Sequence, residues 1–144
     1  MLCAFVVHWD PAELPSKVAA VEAAGARVVG SEAHDGARAG RLIRESEPDV
    51  LVTWLSRLPG HGRVTAAYVR STPWGRALPL LFVDGDPDVL DKTKRATLEE
   101  VIPEALVVTP RTLPAWLVKV EAALDARRRP DPGDTDVRQG VPSA

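Results

Sequence analysis

Pro48-Asp49-Val50-Leu51-Val52-Thr53-Trp54-Leu55 followed by Ser56-Arg57-Leu58-Pro59-Gly60-His61-Gly62 sets how the rest of the chain reads. From Asp49 to Leu55 the segment is short and almost continuously apolar. An amphipathic helix would space its apolar residues at intervals of three and four, so this run fits a strand buried on both faces. Two other runs share that character. Leu2-Cys3-Ala4-Phe5-Val6-Val7 lies upstream, bounded by His8-Trp9-Asp10-Pro11. Leu78-Pro79-Leu80-Leu81-Phe82-Val83 lies downstream, with Pro79 near its start, where a missing N–H is tolerated. Ala26-Arg27-Val28-Val29-Gly30 reads as a more polar strand, and Ala105-Leu106-Val107-Val108 as the last one.

Amphipathic segments alternate with these runs. Asp10 suits an N-cap, Pro11 the first helical position, and Glu13 the return arm of a capping box. The helix they open carries Leu14, Val18 and Val21 inward and stops at Gly25. Asp35 caps a second helix holding Ala37, Leu42 and Ile43 and ending before Pro48. A third runs from about Arg63 to Ser71, with Val64, Ala67 and Tyr68 at helical spacing. Asp84-Gly85-Asp86-Pro87-Asp88 turns into a fourth, capped by Asp86 and ended by Pro103. Thr112 caps the fifth, whose apolar stripe is Leu113, Trp116, Leu117, Val120 and Leu124. From about Ala126 the composition turns polar and rich in proline and glycine, so residues 126–144 read as a disordered tail to a domain of residues 1–125.

Five strands alternating with five helices predict an α/β three-layer sandwich with a five-stranded parallel sheet. Right-handed crossovers leave the flavodoxin-like order 2-1-3-4-5 as the common solution at this length. Ligands in such sheets sit at the carboxyl ends of the strands, which gathers His8, Trp9, Asp10, Trp54, Leu55, Asp84, Asp86 and Thr109 around one crevice.

Composition narrows the function. The chain has 144 residues, 45% hydrophobic and 26% charged, enough for a core without a disulfide or structural metal. A net charge of −2 gives no basic field for nucleic acid or an anionic membrane. The single Cys3 excludes an internal disulfide and a cysteine-based zinc site. The N-terminus lacks the basic lead and cleavage site of a signal peptide, so a cytoplasmic protein is expected. There is no Gly-x-Ser-x-Gly elbow, and the glycines of 56–62 match neither phosphate-binding fingerprint.

Three of these segments together resemble the receiver domain of two-component response regulators, over roughly residues 2–125. Pro48 to Gly62 looks like the receiver's third strand and its Leu-Pro-Gly loop. Leu78 to Val83 looks like the fourth strand, and Val107-Val108-Thr109-Pro110 like the fifth strand with its Lys-Pro ending. The resemblance implies the fold, and it also implies a phosphorylation pocket that these residues do not supply. The acidic pair that holds Mg²⁺ after the first strand falls on His8 and Trp9, with Asp10 one step on. The phosphoacceptor aspartate falls on Leu55, or on Trp54 if the loop is one residue longer. The switch hydroxyl falls on Asp84 and the lysine on Thr109. Transfer of a phosphoryl group to a carboxylate needs a nucleophilic oxygen, a divalent cation and a positive charge near the transferred group.

The expectation is a non-enzymatic, phosphorylation-independent receiver with no cofactor, acting on a protein partner. The alternative is a small-molecule or divalent-metal site in an acidic crevice at Asp10, Asp84 and Asp86. Turn and cap chemistry is the stronger reading of those aspartates. Trp9 and Trp54 are expected to fill the space of the lost acidic pocket. By resemblance the docking and dimer face includes Lys92, Arg95, Thr109, Arg111 and Trp116, and a homodimer through it is plausible. Trp74, in a loop before the fourth strand, is a candidate contact residue.

Overall fold

Five parallel strands lie side by side in the computed structural model: β1 (Cys3–Val7), β2 (Arg27–Glu32), β3 (Val50–Trp54), β4 (Leu80–Val83) and β5 (Leu106–Val108). Their spatial order is β2-β1-β3-β4-β5. The structure describes residues 1–55, 59–83 and 106–128, with the backbone alone for 59–63, 106, 107 and 128. The described helices are α1 (Leu14–Ala23), α2 (Gly36–Ser46), α3 (Pro59–Ser71) and α4 (Leu113–Arg128). The segment read as a fourth helix, with Asp84, Asp86, Asp88, Lys92 and Arg95, lies outside the described residues. So does 129–144, whereas α4 itself runs past Ala126 to Arg128.

The sheet is buried from both sides, as its sequence demands. Alternate residues of a strand face opposite ways. Phe5, Val7 and Trp9 join Leu51, Leu55, Leu80 and Phe82 beneath Ala39 and Ile43 of α2 and Ala66 and Val69 of α3. Ala4, Val6, Val50, Val52, Trp54, Leu81 and Val83 join Val21 of α1 and Leu113 and Leu117 of α4 on the other face. Gly30 lets the Phe5 ring lie against β2: a Cβ there would stand 2.7 Å from Phe5 Cε2. The register between β1 and β2 shifts beside that ring, between Ala4 and Phe5.

Local expectations meet tertiary packing with mixed results. Asp35 caps α2 as read, its Oδ1 accepting from the backbone N–H groups of Ala37 (2.9 Å) and Arg38 (3.2 Å). Gly25 ends α1 at φ 113°, a conformation costly for residues with a Cβ. The start of α1 differs. Asp10 Oδ1 accepts from Ala12 N and Glu13 N, forming a turn ahead of a helix that begins at Leu14. The Asp10 N–H that a capping box would use donates to the His8 carbonyl. α3 also departs from its reading. It begins at Pro59, so Pro59 to Gly62 form its first turn rather than a loop, consistent with proline's fit at a helix start. Its inner face is Thr65, Ala66 and Val69, while Val64 and Tyr68 face solvent. Both sets have helical spacing; Ala66 and Val69 face the sheet, Ala67 packs at their margin, and the half-exposed Tyr68 ring lies over Gly40 of α2.

Candidate functional site

The carboxyl ends of the strands form one row. β1 and β3 pair with Val7 opposite Thr53, and β3 and β4 with Trp54 opposite Val83. The row continues past the strands: His8 N donates to the Glu32 carbonyl (3.2 Å) and Leu55 N to the Val83 carbonyl (2.9 Å). Alternation then separates the residues gathered by sequence. Trp9 and Leu55 go to the α2–α3 face, and Trp54 to the α1–α4 face. His8, in phase with Ala4 and Val6, shares the Trp54 side and meets α1 there.

His8 is fully buried, and its Nε2 lies 2.9 Å from Glu13 Oε1. One turn further along α1, Lys17 places its Nζ 4.8 Å from the centroid of the Trp54 ring. α1 therefore lays a carboxylate on His8 and an ammonium on Trp54 from adjacent turns of one face. Trp54 is 3% exposed and Leu55 4%. β3 ends at Trp54, and Leu55 next to it still bonds the Val83 carbonyl, so both residues that the sequence offers stand at this strand end. Among the described residues, His8 Nδ1 and Trp54 Nε1 are buried without a hydrogen-bond partner. Each such group costs about 1–3 kcal/mol, which the burial of the rings has to offset.

The remaining strand-end residues serve the backbone. Asp10 spends Oδ1 on the turn into α1. Thr109 Oγ1 accepts from Thr112 N at 3.2 Å, Thr112 Oγ1 accepts from Thr109 N at 3.1 Å, and the Thr109 carbonyl accepts from Leu113 N at 2.9 Å. Thr109 thus shares the capping of α4 that the sequence assigns to Thr112. Arg111 is exposed beside this cap, and Trp116 is half-buried on α4 under Lys119, whose Nζ is 4.4 Å from the ring centroid. Trp74 packs against the α2–α3 core rather than standing free in its loop.

Sequence reasoning missed one buried charge. Glu32, 5% exposed at the end of β2, accepts from His34 N (3.0 Å) and Asp35 N (3.1 Å) and meets Arg38 Nε at 3.3 Å. Its only sequence signal is a carboxylate between a strand and a capping aspartate. The Glu13–His8 pair was hidden for another reason: Glu13 also fits a capping box.

The row holds no carboxylate at the end of β3, where a nucleophile would be needed. Among the described residues no three His, Cys, Asp or Glu side chains come together as a metal site. Asp84 and Asp86 lie outside those residues. Among the described residues, no helix is long and apolar enough to cross a membrane.

No protein-family model and no curated protein matches this sequence. Solved structures do. A two-component response regulator of the LuxR family from Aurantimonas is 26% identical, with a TM-score of 0.64 over 100% of this chain and 99% of that one. The Vibrio cholerae chemotaxis protein CheY4 is 17% identical, with a TM-score of 0.64 over 83% of this chain and 98% of that one. The receiver domain of a sensor histidine kinase from Pseudomonas aeruginosa, solved with magnesium in its active-site cleft, is 17% identical, with a TM-score of 0.55 over 81% of this chain and 97% of that one. The fold is that of response-regulator receiver domains, as the resemblance in the sequence implies.

Proposed function

We propose that this protein is a phosphorylation-independent receiver that acts in signalling or regulation by binding another protein, without catalysis. The receiver neighbours support the signalling role. The observation that carries the rest is the strand-end row. Trp54 stands at the end of β3, sealed by Lys17, and His8 beside it is tied to Glu13. An indole has no oxygen to attack a phosphoryl donor. The Glu13 carboxylate stands against an imidazole rather than in a set of oxygen ligands of the kind magnesium requires.

The test is an amide NMR titration with Mg²⁺ followed by beryllofluoride. The expected result is no saturable shift at His8, Trp9, Asp10, Trp54 or Leu55. Saturable shifts at these amides, or at Asp84 and Asp86, would mean that a working acidic pocket survives, and the reading would fall.

The docking face proposed from the resemblance includes Thr109, Arg111 and Trp116, with Lys92 and Arg95 outside the described residues. A homodimer through this face should appear in light scattering as a mass that falls with dilution, and Arg111→Glu should shift it toward monomer. A constant monomer mass at every concentration rules the dimer out.

A further inference from the structure

The two helix layers differ on the sides they turn away from the sheet. On α4, Leu113 and Leu117 are buried and Val120 and Leu124 pack beside them, which fixes its inner face. The opposite side carries Ala115, Val118, Ala122 and Asp125, all exposed, and Arg111 continues the line just ahead of the helix. Val118 is 67% exposed. α1 packs on the same core, and Ala12, Ser16, Ala19 and Ala23 on its outer side are exposed, small and uncharged. On α2, by contrast, exposed Arg38, Arg41, Arg44 and Glu45 are all charged. A helix that is apolar inside and lacks charge through the middle of its outer side has a second face to cover.

The outer stripe of α4 also says what covers it. Arg111, Ala115, Val118, Ala122 and Asp125 alternate steps of four and three, the spacing of a helix-pairing seam. Arg111 and Asp125 are equidistant from Val118 along the chain. A second α4 laid antiparallel about a twofold axis at Val118 therefore sets Val118 on Val118, Ala115 near Ala122, and Arg111 of each copy against Asp125 of the other. Parallel pairing would instead set arginine on arginine and aspartate on aspartate, so the end charges also select the direction. The charges that flank the middle are drawn elsewhere: Glu121 faces the N-terminal ammonium at 3.8 Å, and Lys119 lies over the Trp116 ring at 4.4 Å.

We infer that this stripe is a self-association seam, in which α4 of one copy pairs antiparallel with α4 of a second copy. The inference rests on the protein-binding reading above and names the partner as a second copy of this chain. Its face differs from the one that the resemblance supplies, since Trp116 lies off the stripe and Arg111 is common to both.

Sedimentation velocity of the full chain, from the micromolar to the millimolar range, tests this. The expected result is a mass that rises with concentration from monomer toward dimer. Val118→Lys should weaken self-association by about tenfold or more, because each substitution counts twice across a twofold axis. Asp125→Arg, which sets Arg111 against an arginine, should weaken it by about threefold to tenfold. The double variant Arg111→Asp/Asp125→Arg exchanges the charges and should restore the dimer constant to within about threefold of the parent. These positions are exposed, so far-ultraviolet circular dichroism should be unchanged in every variant. Trp116→Ala should leave the dimer constant within about threefold. Monomer at every concentration, a dimer indifferent to Val118→Lys, or a double variant no better than Asp125→Arg overturns the inference. A dimer kept in Val118→Lys and lost in Trp116→Ala overturns it in favour of the face that the resemblance supplies. If the chain stays monomeric while beryllofluoride produces no shift, the phosphorylation-independent reading stands and its partner is a different protein.

Discussion

Trp54 and Trp116 each carry a lysine over the ring, Lys17 at 4.8 Å and Lys119 at 4.4 Å, but only Trp54 is sealed. Trp54 lies on a central strand, is 3% exposed and has α1 above it. Trp116 lies on α4 at the margin of the same core, half-buried. The same pair of residue types thus gives a closed plug in one place and a half-exposed platform in the other. A strand in mid-sheet has helices on both faces and no free side, whereas a helix has one face to bury and one to leave open.

Truncating the rings is the most direct way to break this comparison. Trp54→Ala should cost about 3–5 kcal/mol through the cavity it leaves. Trp116→Ala, half-buried to begin with, should cost about 1–2 kcal/mol. Urea unfolding followed by far-ultraviolet circular dichroism measures both; equal losses would erase the distinction between plug and platform. His8→Ala is expected to fall between them, at about 2–4 kcal/mol, because it removes a buried ring and takes from Glu13 the imidazole it faces. A loss under 0.5 kcal/mol, on the order of an ordinary surface change, would show that the Glu13–His8 contact is incidental.

The lysines sharpen the comparison at smaller scale. Lys17→Ala should cost about 0.5–1 kcal/mol and Lys119→Ala less, since a cation over a desolvated ring is held more strongly than one over an exposed ring. Lys17→Ala should also make Trp54 more accessible to acrylamide quenching, read against a Trp54→Phe background, whereas Lys119→Ala should leave that signal alone. An unchanged quenching constant for Lys17→Ala would mean that the strand neighbours alone seal Trp54.

Much of the fold was legible because burial on both faces leaves a plain mark. The runs at Cys3–Val7, Val50–Trp54 and Leu80–Val83 have no polar side to hide, and Asp35 and Gly25 mark helix ends by mechanisms that act within one turn. The boundaries that failed depend on what lies across space. Val64 and Tyr68 have the same helical spacing as Thr65 and Val69, and spacing alone does not mark which pair turns toward the sheet. The site was legible as a set of positions but not as an arrangement. Residues adjacent in sequence, such as His8 and Trp9, leave the strand on opposite faces, and the partners of His8 and Trp54 arrive on α1.

By itself, then, the sequence determined the alternation of strands and helices, and it determined that Trp54 or Leu55, not an acid, stands at the end of β3. Those are properties of pattern and residue type, which no packing can alter. Only the tertiary structure decided that β3 ends on Trp54, that Glu13 serves His8 instead of its own helix start, and that Lys17 covers the indole. It also decided that Lys119 lies over a half-buried Trp116. Each of these depends on which helix face meets which strand end, and that is settled when the two sides of the sheet are buried together.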